Sequence, residues 1–307
     1  MNLLSNGLLS DIYLIKPVQR SGQPSWQYPL DGKSPSSYSY KTAQSLLELS
    51  YRVSVHNREV VDGSNDPIKL DPPNFDVIIP LNTTFLLQTF NVLWFFYSSS
   101  LNLVVVVATS TYDNTLFLVD FDYSQLDPIT INNYISGMKL HRGFWNFYSS
   151  IRTELLLLLN RYVNDETQVL LTGISLGGAI STIGAIDLYH RKLDSNVVIN
   201  DVIHYSFASP RAFNIIGAKK YNDIGISSYR INNISDIIPT TPLPIMYGSI
   251  MSFSMLITAY EKSGQLQGEF YDFMHVGMMS YFDRHLGNYY ANHILAYLNE
   301  YNVNPFQ

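Results

Sequence analysis

The feature that most constrains the fold of this chain is a short glycine-rich segment between an apolar strand and a helix. Gly173-Ile174-Ser175-Leu176-Gly177-Gly178-Ala179 directly follows the apolar run 169–171 and directly precedes a helical pattern over 176–189. Glycines two positions before and two after Ser175 leave room for a turn so sharp that the serine backbone is strained. Such a turn lifts the serine hydroxyl above the end of a sheet strand. An ordinary glycine-rich turn between a strand and a helix is the alternative.

Strands and helices alternate along the chain around this segment. Apolar and β-branched runs predict the strands, and apolar residues on one face at helical spacing predict the helices. The predicted strands are 103–107, 168–172, 202–207 and 227–231, and the predicted helices are 144–162 and 176–189. Alternation of this kind predicts an α/β fold with a mostly parallel central sheet and helices on both of its faces.

The most apolar stretch of the chain, 85–108, has the length of a membrane span. Gln88, Asn91, Asn102 and the serines at 98–100 interrupt it, and a spanning helix tolerates such residues badly. We therefore expect two buried strands joined by a serine-rich turn, and no transmembrane helix.

The length and composition predict one domain over residues 1–307. Apolar residues make up 46% of the 307 residues and charged residues 14%, which is enough apolar material for one large core. Residues 20–40 are rich in Ser, Pro, Gly and Tyr without a helical or strand period, so we expect 1–40 to form an irregular N-terminal arm. Helical spacing recurs over 41–53, prolines follow, and the ordered core is expected to begin near residue 77.

Charge and cysteine content exclude several classes of function. The net charge is −6 and no dense run of Lys and Arg occurs, so nucleic acid is a poor partner, and no protein partner is evident. Without cysteine the chain has no disulfide, no thiolate zinc site and no thiol nucleophile. Asp120, Asp122 and Asp127 lack the glycine and the distal Glu of a calcium loop, so we assign no metal.

The first residues carry no basic segment before an apolar run, and Asn6 and Asp11 interrupt the apolar residues that are present. This pattern argues against a secretory signal. Together with the absence of cysteine, it favours a cytoplasmic location.

Ser175 is the candidate nucleophile of the chain. A serine hydroxyl becomes nucleophilic when a histidine takes its proton and a carboxylate orients that histidine. Leu176 starts the following helix, where unpaired N–H groups and the helix dipole favour negative charge, so its N–H is a candidate oxyanion donor.

The candidate acid is Asp236, because the chain order expected after such a turn is serine, then acid, then histidine. Asp236 follows the predicted strand 227–231 and opens a proline-rich loop, where folds of this kind keep catalytic groups. Asp223, beside Asn222, is the competing acid and is interpreted as a turn residue.

Only His275, His285 and His293 follow Asp236. His285 lies in a polar, glycine-containing stretch ahead of a terminal helix, and we interpret it as the general base. His275 lies in an apolar, strand-like context that favours a structural hydrogen bond, and His293 lies on the terminal helix beside Leu295, where packing is the usual role.

Five segments in order resemble motifs of the fungal-type, or class 3, lipase family of α/β-hydrolases. They are Leu140-His-Arg-Gly-Phe144, the glycine-rich turn around Ser175, Ser209-Pro-Arg211, Asp236-Ile-Ile-Pro239 and His275-Val-Gly277 before a late histidine. The resemblance runs from about residue 41 to 295. It implies the α/β-hydrolase fold, a triad of Ser175, Asp236 and His285, and framework roles for His141 and His275.

The family resemblance also implies an oxyanion residue and a lid. The family has F-R-G-[ST] at the end of a strand, and this chain has Ala108-Thr-Ser-Thr111 there, so Thr111 is the expected second oxyanion donor, with Thr109 or Ser110 as substitutes. Ile174 stands where the family usually has histidine. Residues 112–134 mix apolar side chains with aspartates and resemble an amphipathic lid, with an ordinary edge strand as the alternative.

The expected function is hydrolysis of carboxylic esters of lipids, such as triacylglycerol, other acylglycerols or phospholipids, through an acyl-enzyme on Ser175. The expected partners are an acyl-lipid substrate and, transiently, a lipid surface, and no cofactor is required. A lipid-binding or interaction protein that kept the fold without turnover is the alternative, and acyl transfer to an alcohol or amide cleavage by the same triad is a nearer one.

Overall fold

The computed structural model describes residues 26, 30, 37–113, 116–120, 122–128, 131, 136–193, 198–242, 245–247 and 270–304. The irregular arm predicted over 1–40 lies outside these residues, apart from Trp26, Leu30 and 37–40. The single domain over 1–307 therefore stays a prediction.

The described strands form one large central sheet and two small ribbons. The strands are β1 (Val77–Phe85), β2 (Gln88–Ser98), β3 (Leu103–Ala108), β4 (Gln125–Leu126), β5 (Leu140–His141), β6 (Gln168–Ile174), β7 (Asp201–Phe207), β8 (Ser227–Asn233), β9 (Ile245–Tyr247), β10 (Phe270–Asp272) and β11 (Met278–Phe282). Among the described residues the central sheet has the order β1-β2-β3-β6-β7-β8-β11. Strands β3, β6, β7, β8 and β11 run parallel to one another. Strand β2 runs antiparallel to both of its neighbours, β1 and β3.

Helices cover both faces of this sheet. They are α1 (Tyr40–Val61), α2 (Phe117–Asp120), α3 (Arg142–Tyr162), α4 (Leu176–Leu193), α5 (Ile215–Asp223) and α6 (Ala296–Glu300), with a 3-10 turn at Ile238–Thr240 and a π-helix at Ala291–Leu295. Val104 and Val106 pack with α3 and α4, whereas Val105 and Val107 pack with α1 and α6. Alternate side chains of one strand thus enter two cores, and the predicted mostly parallel α/β sheet is confirmed.

The expectation that the ordered core begins near residue 77 is wrong. Helix α1 precedes that point and is buried along nearly all its length against the sheet. Its polar residues concealed this, because Glu48 and Arg52 form a buried ion pair of 2.8 Å one turn apart on the helix. Paired in this way, two charges can enter a core that neither would enter alone.

The apolar stretch 85–108 forms the expected pair of strands. β2 and β3 pair in antiparallel fashion from Leu93 opposite Ala108 to Ser98 opposite Leu103, and a serine-containing turn joins them. In the part of the chain that the structure describes, no helix combines the length and apolar character needed to cross a membrane.

The predicted lid, 112–134, is described in part. Residues 117–120 form the short helix α2, not an edge strand, and Leu116 and Val119 are buried in the core. Asp122 forms an ion pair of 2.7 Å with Arg142 at the start of α3. The side chains of Phe117, Leu118 and Phe121 lie outside the description, so opening of this segment stays a prediction.

Candidate active site

Ser175 lies in the strained turn that its glycines predict. β6 ends at Ile174, α4 begins at Leu176, and Ser175 between them has φ 58°, a left-handed conformation that non-glycine residues rarely adopt. The Ser175 N–H donates to the carbonyl of Phe207 on β7 at 2.9 Å. Strand β6 before the serine, helix α4 after it and the hydrogen bond to β7 together fix the position of Ser175.

The two glycines flanking this turn have no room for a side chain. A β-carbon on Gly173 would collide with the backbone of Gly177, and one on Gly177 would collide with the carbonyl of Ala108. Since Ala108 ends β3 and pairs with Gly173, the turn packs directly against the neighbouring strand end. Glycine is therefore required here by close approach of backbones.

His293 is the histidine that contacts the serine. Its Nε2 lies 2.8 Å from Ser175 Oγ, and its Nδ1 lies 2.9 Å from Asp236 Oδ2. The ring is completely buried. Because the carboxylate faces Nδ1, that nitrogen carries the proton, and Nε2 is left to accept the proton of the serine hydroxyl.

The expectation that His285 lies beside Ser175 is corrected by this geometry. His285 is exposed, and its Nδ1 lies 3.4 Å from the side-chain amide of Asn292. The loop that carries His285 precedes the π-helix Ala291–Leu295, and it is this π-helix that carries His293. The amide of Asn233, at the end of β8, donates to the carbonyls of Arg284 and Asn292 and so docks both ends of that loop.

The signal for His293 was present in the sequence but weak. The residue lies in Ala291-Asn-His-Ile-Leu295, a mostly apolar start of a helix, and a histidine buried there would need hydrogen-bond partners. The structure forms a π-helix there, a form that is frequent at functional sites.

Asp236 is held by three donors. Its Oδ1 accepts from the N–H of Ile238 at 2.9 Å, and its Oδ2 accepts from Tyr297 at 3.0 Å in addition to His293. It follows β8 by one turn, as predicted. The competing acid, Asp223, is the last residue of α5 and is exposed.

Tyr297 is a site residue that the sequence reasoning missed. Its hydroxyl donates to Asp236 and accepts from the N–H of Asn233 at 2.8 Å. Burial, together with the Asp236 carboxylate, raises the pKa of Tyr297 well above its ordinary value, so the hydroxyl keeps its proton. The sequence indicates this role only by the position of Tyr297, one helical turn after His293.

Thr111 and Asp120 form a second buried pair near the serine. Thr111 Oγ1 donates to Asp120 Oδ2 at 2.8 Å, and burial raises the pKa of Asp120 from 3.8 to about 7 despite that hydrogen bond. The alternatives to Thr111 have other contacts: the Thr109 hydroxyl donates to the Asn91 carbonyl, and the Ser110 N–H donates to Ser54.

A small cavity connects this pair to the serine. Its volume is about 10 Å³, which is room for one water molecule. The lining comes from the predicted lid, helix α3, the serine turn, the loop after β7 and the acid loop: Asp120, Tyr123, Phe144, Ser175, Pro210, Ile238, Thr241 and Pro242. Since Ser175 is buried, a molecule from solution reaches its hydroxyl only after part of this mostly apolar wall moves.

The two framework histidines are neutral and structural. His141 caps α3 by accepting from the N–H of Phe144 at 3.4 Å, and His275 Nε2 lies 2.6 Å from the carbonyl of Pro239, just after the acid. Burial lowers the pKa of each ring to about 3. Both therefore position neighbouring segments without carrying charge.

Comparison with known proteins points to one family. The model of the family described as lipase (class 3) matches residues 104–246. The lipase of Rhizomucor miehei is 27% identical over 214 residues, which cover 67% of this chain and 56% of that protein. The chloroplastic phospholipase A1-Ialpha2 of Arabidopsis thaliana is 28% identical over 160 residues, covering 46% of this chain and 32% of that protein.

The chain thus spans between a third and just over half of the length of these two relatives. The solved structure of the Rhizomucor miehei lipase propeptide complex superposes with a TM-score of 0.53 at 20% identity, covering 85% of this chain and 81% of that one. The predicted resemblance to class 3 lipases and the α/β-hydrolase fold are confirmed.

Proposed function

We propose that this chain, similar to class 3 lipases in sequence and fold, is a serine hydrolase of carboxylic esters that acts on lipids. The observation that carries the proposal is the continuous hydrogen-bond relay from Ser175 through His293 to Asp236, with distances of 2.8 and 2.9 Å. The relay stands at a strained strand-to-helix turn, the arrangement in which a serine attacks acyl groups on this fold. His293 thereby takes the role of base that the sequence assigned to His285.

In the first half-reaction Ser175 Oγ attacks the ester carbonyl carbon while His293 Nε2 takes the hydroxyl proton. The Asp236 carboxylate stabilises the imidazolium that forms. The carbonyl oxygen becomes an oxyanion, stabilised by the backbone N–H groups of Leu176 and Thr111. His293 then gives its proton to the departing alcohol oxygen, the ester C–O bond breaks, and the acyl group remains on Ser175.

In the second half-reaction a water replaces the alcohol. His293 takes a proton from the water, the water oxygen attacks the acyl carbon, and the same donors stabilise the second oxyanion. The bond to Ser175 Oγ breaks, His293 returns the proton to that oxygen, and a carboxylic acid leaves. No step requires a metal or a cofactor.

The apolar wall around Ser175 supports lipid esters over small polar ones. Phe144, Pro210 and Ile238 line the cavity, and apolar side chains favour an acyl chain. Matches to a lipase and to a phospholipase A1 support acylglycerols and phospholipids as the two candidate classes.

The test compares the wild type with Ser175→Ala on p-nitrophenyl esters of short and long chain, on emulsified triacylglycerol and on phosphatidylcholine. We expect the substitution to lower kcat by on the order of 10⁶, as removal of the nucleophile does in such triads. Circular dichroism shows whether both proteins are folded. Equal turnover would remove Ser175 from the chemistry. If both folded proteins are inert on every substrate, the non-catalytic alternative takes first place.

A further inference from the structure

The hairpin between β1 and β2 ends in two exposed leucines. Phe85 pairs with Gln88, so the turn consists of Leu86 and Leu87 alone. Their side chains are 63% and 101% exposed. Scattered exposed leucines are ordinary on proteins, but an adjacent pair at a projecting tip is not scattered.

The backbone of this turn is unsuited to leucine. Leu86 has φ 49° and Leu87 has φ 66°, and a two-residue turn with both φ values positive prefers Asn-Gly. Leucine in the left-handed region brings its β-carbon too close to the backbone. The tip therefore combines backbone strain with apolar exposure, and Leu87, fully exposed, has no packing against the described residues to compensate.

The tip projects from the edge of the sheet that carries the active site. Leu93 on β2 pairs with Ala108, the last residue of β3, and Ala108 pairs with Gly173 just before Ser175. From Leu93 the antiparallel strand continues beyond that edge to Leu87, a distance of roughly 20 Å at strand spacing.

Contacts at the base of the tip fix it beside the site. The Phe85 ring lies edge-on to Phe147 of α3, with 6.3 Å between the ring centroids. Both rings line a groove of about 190 Å³ together with Val119 of α2. Phe144, one turn earlier on α3, lines the cavity at Ser175. Helix α3 thus contacts both the base of the tip, through Phe147, and the cavity at Ser175, through Phe144.

The chain segment that contains the tip carries no charged residue. No Asp, Glu, Lys, Arg or His occurs over residues 77–112, and Thr83, Thr84, Gln88 and Thr89 flank the leucines. A surface that binds anionic lipid presents Lys and Arg, which this hairpin lacks. Two leucines above uncharged polar residues fit the boundary between acyl chains and neutral or zwitterionic headgroups.

We propose that Leu86 and Leu87 insert into an uncharged lipid surface and hold the active-site edge against it. Only the consequence of insertion, which is delivery of lipid to Ser175, rests on the proposed function. The insertion itself is a binding event that requires no turnover.

The experiment measures co-sedimentation with phosphatidylcholine vesicles in the Ser175→Ala background, so that the vesicles stay intact. The test variant is Leu86→Asn with Leu87→Gly, the pair that this turn prefers, so folding is expected to be kept or improved. Leu157→Gln is the matched control, because Leu157 is equally exposed but lies near the far end of α3. We expect vesicle affinity to fall about tenfold to hundredfold in the tip variant and to stay unchanged in the control.

Unchanged affinity in the tip variant, or no vesicle binding by the parent protein, would overturn the proposal. A change of molecular mass in solution without a change in vesicle binding would also overturn it, since a second copy of the chain would then cover the tip. Replacing a fifth of the lipid with phosphatidylserine is expected to leave binding no stronger. With Ser175 restored, the tip variant should keep its turnover of a dissolved short-chain ester. If the wild type, with Ser175 intact, hydrolyses no ester while vesicle binding still depends on the tip, the proposed function alone is refuted.

Discussion

The turn that carries Ser175 and the segment that carries His293 hold their side chains in different ways. Ser175 is positioned within a few residues, by a left-handed backbone and two glycines that admit no side chain. His293 is positioned by partners far along the chain, 57 residues away at Asp236 and 118 at Ser175. One half of the site is a local turn, and the other half forms only when β8, the π-helix and the acid loop come together.

The largest expected effect is a loss of kcat, and it distinguishes His293 from His285. His293→Asn removes the base of the relay and should lower kcat on a dissolved ester by on the order of 10⁶. His285→Asn, the matched change on the exposed loop, should leave kcat within about twofold, as surface substitutions do. Steady-state kinetics of the two variants decide the matter. The opposite ranking would return the role of base to His285.

The turn that carries Ser175 can be tested by substituting one of its glycines. Gly177→Ala places a β-carbon against the carbonyl of Ala108, and the backbone has to shift to admit it. We expect the free energy of unfolding to fall by about 3 kcal/mol or more, with loss of turnover.

The control for this substitution is Gly225→Ala, where φ is +83°. Apart from the two chain neighbours, no atom of the described residues lies within 4 Å of a β-carbon built there. Backbone strain alone should cost about 1 to 2 kcal/mol there. Urea unfolding of both variants measures the difference. Equal destabilisation would contradict the prediction, because the close approach at Gly177 should cost more than backbone strain alone at Gly225.

The buried Asp120 predicts a pH dependence of stability. Its pKa is about 7 in the folded protein against 3.8 ordinarily, so the folded state binds the proton more tightly. Its contribution to stability is fully present below about pH 4, is lost as the pH rises through about 7, and is constant above that. The difference amounts to at most about 4 kcal/mol.

Asp120→Asn removes this titration and keeps a polar partner for Thr111. Relative to the wild type, the variant should therefore gain stability between pH 4 and pH 8, as measured by urea unfolding at each pH. A constant difference between the two proteins across that range would refute the assignment.

The smallest expected effect tests how the acid is held. Tyr297→Phe removes one donor to Asp236 and leaves the N–H of Asn233 without its acceptor, so the free energy of unfolding should fall by about 1 to 3 kcal/mol. If the tyrosine positions the carboxylate, kcat should fall as well, with KM unchanged.

Tyr301→Phe is the matched control, since that buried hydroxyl bonds to Tyr38 and not to the acid. It should lower stability by a similar amount while leaving kcat unchanged. Parallel losses of kcat in both variants would mean that Tyr297 acts only through general stability.

The alternating strands, the strained serine turn and the position of Asp236 could all be predicted, because each depends on residues close together in the sequence. Periodicity and two glycines suffice to specify a turn between a strand and a helix. The burial of α1 could not be predicted, since Glu48 and Arg52 make it look polar until their ion pair is seen.

The sequence by itself therefore determined the α/β architecture, the serine turn and the family resemblance, through local spacing and order. Only the tertiary structure decided which histidine meets Ser175, that Tyr297 supports Asp236, and that Asp120 lies buried beside Thr111. The physical reason is that these contacts join segments whose meeting depends on how loops dock at the strand ends, and no local periodicity records that docking. His285 and His293 lie only eight residues apart in the sequence, but one faces solvent and the other completes the relay.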